Sequence, residues 1–279
     1  MKLSVATTTP EISEPVPVSL LAGSFSERLE KASELGYEGV ELLVGNPQLL
    51  DQTEIRTQIR NFDLEVAAVS SGAICLFDGL TLLSSERTTS RQAEARLVSL
   101  VVFASLLEAP LVTIGGFRGR LSFVVGASGR AELIEMLGRT LDSAQSVGVR
   151  LVLEPLNRYE TDIINTTEEC LNLIEELDHT HLGLLIDTFH ANIEEPSFRY
   201  CIEEGMKSGR LWHVHVGDSN RLAPGEGHID FGAVVATLRE FGYEGYCSAE
   251  LLSGTTPDEK AKATIQHLRQ FIPKSKAKR

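Results

Sequence analysis

The second half of the sequence places an acidic residue directly after each of three short apolar runs. Glu154 follows Leu-Val-Leu, Asp187 follows Leu-Leu-Ile and Glu250 follows Cys-Ser-Ala. A carboxylate next to a buried run needs a partner or a metal ion, because burial removes its hydration. A further run carries His213 and His215, and alternation along a strand makes both imidazoles face the same side. These residue types together indicate a metal centre.

We predict that His215 joins the three carboxylates as a ligand, because it lies nearer than His213 to the carboxyl end of its run. His213 is then a deeper, packed residue that supports the ligand. Two glutamates, one aspartate and one imidazole form an oxygen-rich set, which suits Mn²⁺ or Mg²⁺ with open positions better than a closed zinc site. We expect Mn²⁺, with Mg²⁺ or Co²⁺ as alternatives.

The elements that must position these residues alternate between short strands and longer amphipathic helices. The pattern predicts strands over residues 2–7, 40–44, 65–70, 111–114, 150–154, 182–187, 211–216 and 246–251. It predicts helices over residues 24–35, 51–61, 90–107, 128–146, 166–177, 196–207, 231–241 and 256–271. Eight such units in roughly 250 residues predict the α/β class and a single (β/α)₈ TIM barrel, whose active sites lie at the carboxyl ends of the strands. An open doubly wound sheet is the alternative, but no GxGxxG turn follows the first strand.

Composition and charge narrow the class of protein. The 279 residues include 26 basic and 39 acidic side chains, which give a formal net charge of −13. Such a surface repels polyanions, so we expect no nucleic-acid partner. No apolar run approaches the roughly 18 residues that cross a membrane, and four widely spaced cysteines suit reduced thiols. We therefore expect a cytoplasmic protein with no membrane partner, built as one barrel domain over residues 1–273 with a basic tail over 274–279.

Longer segments around these residues resemble the ketose 3-epimerase family, the D-tagatose and D-psicose 3-epimerase group of the xylose-isomerase-like TIM barrels. The segments are EPLNRYE (154–160), DTFHANIEE (187–195), HVHVGDSNR (213–221) and APGEGH (223–228), and the match ends at Glu250. In the first half, SG (71–72), DGL (78–80) and RGR (118–120) are similar to the 5-keto-L-gluconate epimerase subgroup. One departure is that Leu251-Leu252 follows Glu250, where the family often has proline.

The resemblance implies a role for each matched residue. Glu154, Asp187, His215 and Glu250 would be the metal ligands. His190 and Arg221 would hold substrate oxygens, and Glu160 would orient the end of the substrate. Arg118 and Arg120 follow the fourth predicted strand, where they would bind a substrate carboxylate or lie on a solvated loop. The family is commonly dimeric or tetrameric, so we expect a homodimer or homotetramer.

The function that these roles imply is inversion of a carbon next to a ketone. Glu154 and Glu250 would be the catalytic bases, one on each face of a cis-enediolate intermediate. The substrate would be a ketose or a keto-sugar acid, such as 5-keto-L-gluconate or D-tagaturonate. A sugar isomerase or dehydratase of the hydroxypyruvate isomerase or inosose type, with the same metal site, remains the alternative.

Overall fold

A computed structural model describes residues 1–124 and 128–273 of the chain. Eight parallel strands follow one another around a closed barrel, and the last pairs with the first. The strands are β1 (Lys2–Thr8), β2 (Gly39–Leu43), β3 (Glu65–Ser70), β4 (Leu111–Ile114), β5 (Arg150–Leu153), β6 (Leu182–Asp187), β7 (Leu211–Val216) and β8 (Tyr246–Ala249). The predicted TIM barrel is confirmed. The predicted basic tail, residues 274–279, lies outside the described residues.

Most of the helices pack around the outside of the barrel and return the chain to the start of the next strand. They are α1 (Phe25–Leu35), α2 (Gln52–Asn61), α3 (Gly72–Asp78), α4 (Arg87–Leu106), α5 (Gly129–Ser146), α6 (Thr167–Leu177), α7 (Thr188–Glu194), α8 (Phe198–Lys207), α9 (Phe231–Glu240) and α10 (Pro257–Leu268). The predicted helices all form, with ends that differ by a few residues. Among the described residues, no helix combines the length and the apolar character needed to cross a membrane.

Two short helices, α3 and α7, were not predicted. Each is seven residues long, too short for an apolar stripe to repeat. Helix α7 begins directly after Asp187, whose side chain accepts a hydrogen bond from the Phe189 backbone N–H. The last residue of β6 is therefore also the N-cap of α7. This arrangement turns the chain sharply and brings His190 back over the end of the barrel.

Apolar residues fill the space between strands and helices, and the barrel interior is mixed. Inside the barrel, Ala68, Leu111, Val152 and Leu185 form a small apolar cluster. Strand register places Ala68 beside Glu41 of β2 and Leu185 beside His213 of β7. Polar side chains therefore share the interior with apolar ones, and they must find partners there because water is excluded.

The loop after β4 is tied to the segment between α3 and α4 through a glycine. Gly119 forms a bridge with Leu83, and the Leu83 N–H donates to the Arg118 carbonyl at 3.0 Å. Gly119 has φ 81° and ψ −154°, a conformation that is essentially restricted to glycine. A Cβ at this position would lie 2.5 Å from the Leu83 carbonyl oxygen. The loop therefore requires glycine for both conformation and space.

We expect Gly119→Ala to destabilise the protein by about 1–3 kcal/mol from backbone strain, with a further loss from the contact with Leu83. The matched control is Gly116→Ala, where an added Cβ meets no atom within 4 Å. Chemical denaturation measures the free energy of unfolding of both variants. Equal stability of the two variants would contradict this explanation of the loop.

Candidate active site

The predicted metal ligands meet at the carboxyl end of the barrel. Glu154 and Glu250 directly follow β5 and β8, Asp187 ends β6, and His215 lies near the end of β7. Strand register pairs Asp187 with His215. One atom each from Glu154, His215 and Glu250 lies within 4.8 Å of the other two, and the same holds for Glu154, Asp187 and His190. The closed barrel thus gathers residues that are far apart in sequence.

His215 is at the centre of this group. Its Nδ1 lies 2.6 Å from Glu250 Oε2, 3.4 Å from Glu154 Oε1 and 4.0 Å from Asp187 Oδ2. The His190 Nε2 lies 4.0 Å from both Glu154 Oε1 and Asp187 Oδ2. All of these side chains are buried or nearly so, with Glu250 the most exposed at 13%.

Four buried polar atoms in this group have no hydrogen-bond partner: Glu154 Oε1, Asp187 Oδ2, His190 Nε2 and His215 Nδ1. The contact of 2.6 Å between His215 Nδ1 and Glu250 Oε2 does not have the angles of a hydrogen bond. Buried polar atoms are rarely left unpaired, and the exceptions need an explanation such as a missing ion. Carboxylate oxygens with an imidazole nitrogen suit a hard divalent cation. The residues present therefore fit the metal that the family resemblance implies.

Burial and mutual repulsion shift the pKa values of the group. Burial, with a smaller contribution from the charge of Glu154, raises the pKa of Asp187 to about 7. Burial likewise raises the pKa of Glu154. Burial would lower the pKa of His215, but the charges of Glu41 and Glu250 overcome it and raise that pKa well above its ordinary value. The carboxylates of Glu154, Asp187 and Glu250 thus carry more negative charge than the neighbouring protein groups stabilise.

Gly115 allows Glu154 to take this position. It directly follows β4, and a Cβ there would lie 2.3 Å from Glu154 Oε2. Any other residue type would therefore displace the carboxylate. The absence of a side chain leaves room for Glu154 at the edge of the cavity.

Sequence reasoning missed Glu41. This residue is in the middle of β2, is fully buried, and lies beside both histidines of β7. Its Oε2 is 2.8 Å from His213 Nε2, and both of its oxygens are 3.1 Å from His215 Nε2. Although burial opposes it, the charges of His215 and His213 hold the pKa of Glu41 well below its ordinary value. The available signal was a lone acid within the apolar run Gly-Val-Glu-Leu-Leu.

A cavity of about 260 Å³ opens above the group. Glu154, Glu250, Glu160 and Arg221 supply its charged side chains. Apolar side chains form much of the remaining wall, together with Ser70, Thr113 and three glycines. The apolar residues are Val16, Pro17, Val18, Leu43, Ala73, Leu76, Leu156 and Leu252. The cavity therefore has charged groups beside the cluster and an apolar wall.

The predicted substrate-binding residues form a hydrogen-bonded chain at the mouth. Arg221 donates to Glu160 at 3.1 Å, and Asn157 Nδ2 donates to Glu160 at 3.0 Å. Asn157 Nδ2 also lies 2.8 Å from His190 Nδ1. Sequence reasoning did not single out Asn157, which joins Glu160 to His190. The chain leaves His190 Nε2 directed at Glu154 and Asp187.

Arg221 is held in an unusual backbone conformation. Its φ is 60°, which is uncommon for a residue with a side chain. The Leu252 N–H donates to its carbonyl at 2.8 Å, and its own N–H donates to the Asp218 carbonyl at 2.7 Å. The segment after Glu250, where this sequence departs from the family pattern, thus helps to fix Arg221 at the cavity.

Arg118 does not occupy the position expected of a substrate-binding residue. It is fully buried, and it donates five hydrogen bonds to the backbone carbonyls of Gly115, Glu154, Ile163 and Ile164. A guanidinium has five N–H donors, so none remains for a substrate carboxylate. Burial lowers its pKa to about 10. The expectation for Arg118 is corrected, because the side chain instead joins the loops after β4 and β5.

Arg120 is partly exposed and donates to the Tyr159 carbonyl at 3.0 Å. It is not among the residues that line the cavity. A contact between Arg120 and a substrate carboxylate therefore stays a prediction.

Comparisons with known proteins agree with this architecture. The sequence matches the family described as xylose isomerase-like TIM barrel over residues 29–271. It is 29% identical over 231 residues to a D-psicose 3-epimerase of Enterocloster bolteae, covering 79% of this chain and 74% of that protein. It is 30% identical over 239 residues to a 3-dehydro-D-guloside 4-epimerase of Escherichia coli, covering 79% of this chain and 84% of that protein.

A solved structure shows the same fold. The apo crystal structure of a 3-keto-D-glucoside 4-epimerase from E. coli matches with a TM-score of 0.78 at 23% sequence identity, covering 96% of this chain and all of that one. The family match spans most of the sequence, and the predictions of a xylose-isomerase-like barrel and of an isomerase are confirmed. The chain belongs to the xylose isomerase-like TIM barrel family, and it is a sugar epimerase of the ketose 3-epimerase type.

Proposed function

We propose that this epimerase depends on a divalent metal ion and inverts a carbon next to the ketone of a ketose or keto-sugar. The observation that carries the proposal is the set of four unpartnered buried atoms beside the cavity, on Glu154, Asp187, His190 and His215. Glu154, Asp187, His215 and Glu250 are the proposed ligands. Mn²⁺ is the proposed ion, with Mg²⁺ or Co²⁺ as alternatives.

Inversion requires removal of a proton from one face of the substrate and return of a proton to the other. Glu154 and Glu250 follow different strands and both line the cavity, which supports their assignment as the two bases. Burial raises the pKa of Glu154, and a carboxyl pKa closer to the working pH favours proton transfer. When bound, the cation supplies stabilisation of negative charge on the substrate oxygens.

His190 and Arg221 are proposed to hold substrate oxygens. Arg221 lines the cavity, and the unpartnered Nε2 of His190 lies 4.0 Å from Glu154, which also lines it. These positions support the assignment. Burial holds the pKa of His190 well below its ordinary value, which favours a neutral imidazole with a single N–H. Glu160, which is bonded to Arg221 and Asn157, is proposed to accept from a hydroxyl at the far end of the substrate.

The cavity favours a small, neutral substrate over a sugar acid. Its volume, about 260 Å³, is below the roughly 300–1,000 Å³ of typical drug-sized ligand sites. Arg221 is the basic side chain among its lining residues, and it is already paired with Glu160. All five N–H donors of Arg118 bind backbone carbonyls, so this side chain is not free to bind a substrate carboxylate. A keto-acid such as 5-keto-L-gluconate or D-tagaturonate is therefore the less supported alternative.

The proposal extends to the cellular location, the domain organisation and the oligomeric state of the enzyme. The four free cysteines support a cytoplasmic protein. The barrel and the family resemblance support a single domain over residues 1–273 and a homodimer or homotetramer. Light scattering coupled to size exclusion measures the oligomeric state.

The reaction is tested in D₂O with the Mn²⁺-loaded enzyme. The sugars are then detected by NMR in a sample in which diamagnetic Mg²⁺ has replaced Mn²⁺. The panel contains D-psicose, L-ribulose, a 3-dehydro-D-guloside, 5-keto-L-gluconate and D-tagaturonate. We expect deuterium at one carbon next to the ketone, together with the epimer, for a neutral member. An aldose or a dehydrated product would instead indicate the related isomerase or dehydratase, and no exchange with metal bound would count against the proposal.

Substitution of either proposed base tests the two-base mechanism. We expect Glu154→Gln and Glu250→Gln each to lower kcat by about 10²–10⁴-fold, because an amide cannot accept or return the proton. The matched control is Glu244→Gln, an exposed residue before β8 at the opposite end of the barrel. If either variant turned over substrate as fast as the wild type, the two-base mechanism would be ruled out.

Removal of the metal ion tests whether turnover depends on it. We expect a chelator to abolish turnover, Mn²⁺ to restore it, and Mn²⁺ at 100 times its Kd to stabilise the protein by about 2.7 kcal/mol. Asp187→Asn should reduce this stabilisation, because it removes a proposed charged ligand. Full activity of the metal-free protein, measured after the metal content has been determined, would refute the metal dependence.

A further inference from the structure

The proposed mechanism does not use Glu41, although this buried carboxylate touches the central histidine of the site. We infer that Glu41 is a positioning residue: it fixes the tautomer and orientation of His215, so that Nδ1 presents its lone pair toward Glu154, Asp187 and Glu250. The inference rests on the proposed function, because it assigns His215 as a metal ligand.

The tautomer follows from hydrogen-bond chemistry. An ionised carboxylate only accepts hydrogen bonds. Both oxygens of Glu41 are 3.1 Å from His215 Nε2, so this nitrogen must carry the proton. Histidine binds a metal ion as the neutral imidazole, which has one N–H, so the nitrogen left to bind the ion is Nδ1. That nitrogen faces the three carboxylates, where a ligand lone pair is required.

The orientation follows from contacts across the barrel. β2 and β7 are not neighbours in the barrel, so Glu41 reaches His215 through the interior. His213 Nε2 holds Oε2 of the same carboxylate at 2.8 Å, and the two imidazole rings lie edge to face with centroids 5.2 Å apart. The carboxylate is thus fixed by two donors, and it fixes both rings in turn.

A structural role alone explains Glu41 poorly. Burying an ion pair often gains little stability over an apolar group of similar size. A second metal site at Glu41, His213 and His215 is not needed to explain the contacts. The two oxygens of Glu41 and the Nε2 atoms of both histidines are already partnered with one another at 2.8–3.1 Å, whereas the atoms that face Glu154 and Asp187 are unpartnered. Contacts of this length are ordinary hydrogen bonds.

The test measures Mn²⁺ binding to Glu41→Gln by titration calorimetry. We expect the Kd to rise by about 10–100-fold, as is typical when a partner of a metal-bound histidine is lost. The amide accepts from one imidazole and turns an N–H toward the other, so the two histidines no longer share one tautomer. The visible spectrum of the Co²⁺ form should change as well, because the ligand geometry at His215 changes.

The matched control is Glu38→Gln, just before the same strand. Glu38 accepts from the Leu3 N–H and from Arg269 and contacts neither histidine. We expect Glu38→Gln to bind Mn²⁺ like the wild type even if its melting temperature falls. Glu41→Asp, which keeps the charge on a shorter side chain, is the second variant if Glu41→Gln does not fold. We expect it to bind Mn²⁺ more weakly than the wild type.

Wild-type Mn²⁺ affinity and an unchanged Co²⁺ spectrum in the folded Glu41 variant would overturn the inference while leaving the proposed function intact. Two Mn²⁺ ions per wild-type chain, with one lost in Glu41→Gln, would also overturn it. Absence of Mn²⁺, Mg²⁺ and Co²⁺ binding by the wild type would reject the proposed function and the inference together.

Discussion

The buried negative charge at the carboxyl end of the barrel is the constraint on which the remaining features of the site depend. Glu154, Asp187 and Glu250 stand close together and largely out of water. Each loses hydration and repels the others, which is why burial and the charge of Glu154 raise the pKa of Asp187 to about 7. The parallel barrel makes this arrangement possible, because it turns the ends of distant strands toward one opening. Cationic partners or a divalent ion must then offset the charge.

Two networks hold this cluster, one inside the barrel and one at its mouth. Inside, Glu41 bridges His213 and His215, so an acidic residue supports the histidine that faces the three carboxylates. At the mouth, Arg221, Glu160 and Asn157 form a chain that ends at His190. Both networks set the direction of an imidazole nitrogen. The chemistry of the site therefore depends on supporting residues such as Glu41 and Asn157 as well as on the residues proposed to contact the substrate.

Arg118 illustrates how environment decides the role of a residue. Beside a sugar site, an arginine suggests a partner for a substrate carboxylate. Here its five donors are directed at the backbone carbonyls of the loops after β4 and β5. One of these carbonyls belongs to Glu154. Arg118 thus fixes the backbone of a proposed base, and its removal from the substrate contacts weakens the case for a sugar acid.

The sequence alone determined the barrel and the proposed ligand residues, because both have local signals: alternating strands and helices, and acids directly after apolar runs. It did not find α7, which is too short to repeat an apolar stripe, or the role of Glu41, whose partners His213 and His215 are more than 170 residues away. It could not distinguish a substrate contact from a backbone contact at Arg118. Those outcomes depend on which distant atoms closure of the barrel brings together, and only the tertiary structure decides that.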